Sequence, residues 1–196
     1  MTTPLDRLAK EARGCQACDL WEPATQTVFG AGPRDATLVL VGEQPGDRED
    51  RLGEPFVGPA GRILDDALAA ADIPRADVYV TNAVKHFKFT ERGKRRIHQK
   101  PNTTEIVACH RWIEAELDLI APAVVVMMGT VAVRSVLGRS ATITSLRGAT
   151  VAVGEMAGVV TVHPSAILRA RSDREDMMAS FVDDLARAAA LAREPR

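Results

Sequence analysis

Residues Lys85 to Lys100 read KHFKFTERGKRRIHQK, with seven basic side chains against one glutamate, a local charge of +6 with histidines neutral. The whole 196-residue chain carries only −1, so positive charge is concentrated in this one Gly-containing loop. Lysine and arginine gathered in this way suit phosphate groups. The two histidines of the loop, His86 and His98, are each of a type that faces a phosphate, ligates a metal or acts as a nucleophile. A second constellation is built on cysteine: Cys15 and Cys18 stand in CQAC, and Cys109 lies far downstream. A CxxC pair supplies two thiolates at metal-ligand spacing, and a helix presents a third. Three thiolates leave one position open on a tetrahedral ion or a cubane cluster, which a histidine fills. His86 is preferred over His110, because adjacent helical residues such as Cys109 and His110 point in divergent directions. Zinc and an iron–sulfur cluster both accept this set, and ligand counting does not separate them. The plainer alternative is a pair of free thiols in CQAC and a core cysteine at Cys109.

These residues need a scaffold, and the apolar pattern predicts one. Four β-branched runs stand out: Thr37–Glu43, Val78–Val84, Val124–Gly129 and Val159–Pro164. Each is apolar on consecutive positions, as in strands buried on both faces. Helical spacing predicts helices over GRILDDALAAADI, TEIVACHRWIEAELDLI and Asp173–Arg193. In the second of these, Glu116 falls on the apolar stripe. Alternating strand and helix implies an α/β single domain over residues 1–196, a central, mostly parallel four-stranded sheet flanked by helices. A weaker run, Ala149–Gly154, is expected to pair as a hairpin with the last strand or to lie at an edge. In such sheets function sits at the carboxyl ends of strands. Those ends read GEQPGDRED, TNAVKHFKF, MGT and HPSAILR, and EPFVGPAG is expected to fold back over the first. Glu43, Gln44, Asp47, Phe56, Asn82, His86 and His163 are therefore expected to converge.

Composition limits the classes further. At 46% hydrophobic and 4% aromatic residues, the core must be aliphatic. The charged first residues lack the apolar stretch of a secretion signal, and the longest apolar run is too short to span a bilayer. A soluble, cytoplasmic protein is the expectation, with no membrane partner. Three cysteines argue against a disulfide framework.

Taken in order, GEQPGDRED, PFVGPAGRILD, VTNAVKH, Cys109 and HPSAILR resemble the iron–sulfur uracil-DNA glycosylases, over most of the chain from Cys15 to about Arg169. The insert GKRRIH resembles the X-type subfamily, whose members excise uracil and remain covalently joined to the abasic DNA. Ordinary iron–sulfur members carry a fourth cysteine where this chain has His86, and the X-type pattern has histidine there. The resemblance implies a three-layer fold of the uracil-DNA glycosylase type. It also implies a structural 4Fe–4S cluster held by Cys15, Cys18, His86 and Cys109.

Glycosidic cleavage at C1′–N1 leaves an oxocarbenium-like sugar and an anionic base, and the base must first leave the stack. The motifs place Phe56 to stack on the flipped ring, and Asn82 to read the uracil edge with one donor and one acceptor. His163, in HPS with Ser165, is the donor expected at the uracil O2. A neutral imidazole is a competent nucleophile, so His98 is expected to capture C1′ in place of water, with Glu43 accepting or orienting its second proton. Lys94, Arg95 and Arg96 are expected at phosphates, with Arg96 also able to hold the loop. Gln44 suits either the base or a bracing role, and Asp47 the base site or its own turn. Of Ile167 and Leu168, at least one is expected in the core, and the other is a candidate wedge for the gap left by a flipped nucleotide. The expected partners are uracil-containing DNA, single-stranded for preference, with free uracil as product and a monomeric protein. The rivals are an ordinary hydrolytic glycosylase and a non-catalytic, metal-stapled nucleic-acid binding module.

Overall fold

The computed structural model describes residues 2–194. The chain opens with helix α1 (Pro4–Ala12), capped by Thr3 and Asp6 in a reciprocal capping box. The CQAC turn and a 3-10 turn (Asp19–Trp21) follow. Then come β1 (Leu38–Gly42), α2 (Asp47–Leu52), α3 (Pro59–Ala70) and β2 (Val78–Asn82). The basic stretch forms β3 (Phe89–Arg92) and β4 (Arg95–His98), and α4 (Thr103–Ile120), β5 (Val124–Met128), α5 (Thr130–Leu137) and α6 (Ile143–Leu146) come next. The chain finishes with β6 (Thr150–Val153), β7 (Met156–Thr161), α7 (Pro164–Arg169) and α8 (Arg174–Ala192).

The main sheet has the order β2-β1-β5-β7-β6. The four expected strands pair in parallel, and the weaker run joins them as a fifth, antiparallel to β7 at the edge. It is therefore both the hairpin partner and the edge strand. Alternate strand residues feed two cores, which is why the parallel runs read as continuous apolar stretches. Val39, Val41, Tyr79, Val125 and Met127 face a core shared with α1 and α4, through Leu5, Ile106, Trp112 and Ile113. Leu38, Leu40, Val80, Val126 and Met128 face the other, with Leu64, Leu68, Phe181 and Leu185 of α3 and α8.

Residues 85–100, expected as a loop, contain a second, two-stranded sheet. Arg92 pairs with Arg95, so Gly93 and Lys94 make a two-residue turn, with Gly93 at φ 61°. A positive φ at the first central position is what a glycine supplies in a tight hairpin. Because β1 has β2 on one side and β5 on the other, chain direction across the sheet reverses beside β1. Ligand crevices of open α/β sheets lie at such a point.

Candidate active site

The site is built on Gly42, the last residue of β1. Asn82 lies opposite it in register on β2, and His163 follows β7. A methyl group on Gly42 would lie 2.5 Å from Asn82 Oδ1, 2.6 Å from Phe56 Cζ and 3.3 Å from His163 Nε2. Three side chains from distant segments thus meet above one Cα that only glycine leaves bare. Phe56 reaches this point with φ 57°, a left-handed conformation uncommon for an aromatic residue. Its loop is tied down at Gly58, whose N–H donates to the buried Glu49 carboxylate at 2.9 Å. Above this floor opens a cleft of about 700 Å³, with Glu43, Gln44, Asp47, Phe56, Asn82, His98, His163, Ser165 and Leu168 in its walls.

The floor is polar and unsatisfied. Asn82 Oδ1 and His163 Nε2 are sealed from solvent and have no protein partner. Burial pushes the His163 imidazole down to about 4, with the Glu43 charge only partly opposing. The ring is therefore neutral near pH 7. The Ser165 backbone N–H donates to His163 Nδ1 at 3.2 Å, so the ring proton is assigned to Nε2, aimed at the floor. The Ser165 hydroxyl lies 2.9 Å from the same Nδ1 and accepts from Arg169 at 3.2 Å. At the cleft mouth, His98 Nε2 lies 3.3 Å from Glu43 Oε1. Burial opposes ionisation of Glu43, but the hydrogen bond to His98, with the Lys100 charge nearby, holds its carboxyl below the usual range.

Three residues expected at the site act largely on the hairpin. Gln44 lines the cleft, but its amide donates to the carbonyls of Lys88 and Gln99 and accepts from the Lys88 N–H, bracing both stems. Arg96 is not in the cleft wall. Its guanidinium pairs with Asp47 and, at 2.6 Å, with the fully buried Asp50, and it stacks 4.9 Å over the Phe89 ring. Asp47 lines the cleft and also pairs with Arg51 at 3.0 Å. Lys94 and Arg95 stand exposed at the hairpin tip. Ile167 is fully buried and Leu168 is exposed at the cleft wall, which separates the core residue from the candidate wedge.

Cys15, Cys18 and Cys109 pack at one edge of the core shared by α1 and α4. Cys15 Sγ accepts from the Trp112 indole N–H at 3.1 Å, and Cys109 Sγ accepts from the Lys85 N–H at 3.2 Å. Burial pushes the Cys109 thiol up to about 11. Burial also holds the His86 imidazole below its ordinary range, leaving it neutral, and Thr27 Oγ1 occupies its Nε2 at 2.9 Å. Among the described residues, no three His, Cys, Asp or Glu side chains form a tight cage for a single ion. Three neighbouring thiols, with N–H donors aimed at the sulfurs of Cys15 and Cys109, are chemically suited to a thiolate-rich group.

The uracil DNA glycosylase superfamily model matches residues 29–186. The chain belongs to this superfamily. It is 35% identical over 171 residues to the Type-4 uracil-DNA glycosylase of Thermotoga maritima, covering 86% of this chain and 85% of that protein. It is 34% identical over 185 residues to the Type-4 uracil-DNA glycosylase of Archaeoglobus fulgidus, covering 90% and 89%. The corresponding enzyme of Sulfurisphaera tokodaii is 32% identical over 173 residues, covering 84% and 76%.

In this uracil DNA glycosylase superfamily chain, sequence reasoning overlooked the support behind the floor. Lys85 and Glu116 are fully buried and form an ion pair at 2.5 Å. The one available signal was a glutamate on the apolar stripe of α4. Glu49 and Asp50, buried in α2, were likewise hidden inside a run that reads as a charged surface turn.

Proposed function

We propose that this protein excises uracil from DNA and joins its own His98 to C1′ of the abasic site. The observation that carries this reading is the ionised Glu43 at 3.3 Å from His98 Nε2, in the same cleft as the two unsatisfied groups of Asn82 and His163. A flipped uracil stacks on Phe56 and offers its O4 and N3–H edge to the Asn82 amide. Its O2 meets the Nε2–H of neutral His163, which stabilises the charge that develops as C1′–N1 breaks. The bonding electrons leave with the base. The lone pair of one His98 nitrogen closes on C1′, and the proton on the other is oriented or accepted by Glu43. His98 then stands in the place a hydrolytic water would take at C1′, so turnover stops at the adduct.

Leu168 fills the gap in the stack, while Lys94, Arg95 and the exposed Arg48, Arg62 and Arg169 meet phosphates. The DNA is single-stranded for preference, and one chain holds a complete cleft. Cys15, Cys18, His86 and Cys109 hold a 4Fe–4S cluster. When bound, the cluster supplies a covalent staple between the N-terminal turn, the end of β2 and α4.

Incubation with uracil-containing single-stranded DNA, read on a denaturing gel, tests the whole reading. The wild-type chain gives a shifted protein–DNA band, and His98→Ser gives none while still releasing uracil. An alkali-labile strand from wild type without a shifted band leaves ordinary hydrolytic excision. An unchanged strand leaves only a binding module.

A further inference from the structure

The Lys85–Glu116 pair lies behind the floor of the cleft, outside its walls, and every polar group in it is matched. Lys85 Nζ has three protons and three acceptors: Glu116 Oε2 at 2.5 Å, Thr81 Oγ1 at 2.6 Å and the Asn82 carbonyl at 2.8 Å. Glu116 accepts in addition from the Tyr79 hydroxyl at 2.8 Å, the Thr81 hydroxyl at 2.9 Å and the Gly30 N–H at 3.1 Å. The network therefore joins β2, α4 and the segment that covers the β2 edge, and it grips the backbone of the residue whose side chain stands unsatisfied in the cleft.

A buried ion pair is a poor route to stability, because apolar residues of similar size often serve as well. What this one provides is geometry. Asn82 ends its strand, so the regular ladder that orients the residues before it stops there. The turn that follows is held on one side by Ala83 and Val84 N–H groups donating to the carbonyls of Gly42 and Glu43. The Lys85 ammonium holds it from behind. Resting on the glycosylase reading above, we propose that Lys85 and Glu116 are positioning residues for base recognition: they lock the Asn82 backbone so that its amide meets the flipped uracil in register.

The test uses the full-length chain with Lys85 and Glu116 changed together, Lys85→Met with Glu116→Gln, so that no buried charge is left unpaired. Single-turnover uracil release at saturating enzyme separates two quantities. The rate constant reports the geometry of the bound base, and the amplitude reports the fraction of folded, active protein. The expected result is a rate constant lower by about 100-fold, the scale of a small misplacement of a reacting group. Amplitude and binding to uracil-free single-stranded DNA stay within about twofold of wild type. A reduced amplitude with an unchanged rate constant would mean a purely structural pair and overturn the proposal. Should the double variant fail to fold, Thr81→Val removes only the hydroxyl that bridges the two charges. It is expected to lower the rate constant about tenfold, and an unchanged rate constant there overturns the proposal equally. Wild-type protein that releases no uracil removes the glycosylase reading itself. Active wild type beside variants of unchanged rate constant removes the positioning role alone.

Discussion

His163 is a donor because of where its other nitrogen points. With Nδ1 accepting from the Ser165 N–H and the ring buried, the proton is left on Nε2 and the charged form is disfavoured. The sign of the pH effect follows. A depressed value keeps the imidazole neutral well below the ordinary histidine range; only as pH falls through about 4 does Nδ1 gain a proton, which faces the Ser165 N–H and breaks the contact that aims Nε2. Uracil release by His98→Ser, where only one cleft histidine remains, should therefore persist as pH falls past 6 and collapse near 4. A limb near the ordinary histidine value of about 6.5 would contradict it. His163→Ala should slow release by about 10²–10³-fold, the usual effect of removing one preorganised donor, with melting behaviour close to wild type. The residue type at 163 was readable from the motif. Its protonation state was not, because that depends on a backbone N–H two residues on and on a solvent boundary made by other segments.

At the scale of elements, the hairpin is what aims His98. Its alternation carries almost no apolar signal, so FTERGKRRIH reads as a solvated charge run. At its base Phe89 stacks on Phe87, and the Arg96 guanidinium lies over both rings. Arg96 also supplies the decisive polar contact. Its partner Asp50 is fully buried and has, besides Arg96, the Thr25 N–H as its donor. Removing the cation leaves that carboxylate buried without its counter-charge, at a cost on the order of 3 kcal/mol. Arg96→Ala should therefore lower the melting temperature by several degrees. It should also suppress adduct formation more strongly than uracil release, since the floor of the cleft remains while His98 loses its mount. A gel band reduced in proportion to uracil release would show that the hairpin does no separate aiming. Gln44 works in the same frame. The spacing left open whether it touches the base or braces the loop, and the three hydrogen bonds of its amide go to hairpin backbone.

Over the whole molecule, the thiol site lies on the side of the sheet shared with α1 and α4, and the cleft opens at the strand ends. The two are linked through the short segment from Asn82 to His86. If Cys15, Cys18, His86 and Cys109 hold an iron–sulfur group, purified protein is brown with visible absorbance. Cys109→Ser should then lose that absorbance and unfold at lower temperature, and a colourless, equally stable wild type would refute the assignment. The sequence alone determined the four parallel strands and most flanking helices, because burial on both faces and helical spacing are local patterns. It also determined which residue types gather at the strand ends, since strand direction places them there whatever the details of packing. Only the tertiary structure decided that Gly42 is the bare point where Asn82, Phe56 and His163 meet, that the basic run is a clasped hairpin, and that a lysine and a glutamate are sealed behind the floor. Those features arise from contacts between segments tens of residues apart, where a charged side chain is buried only because its partner arrives from another element.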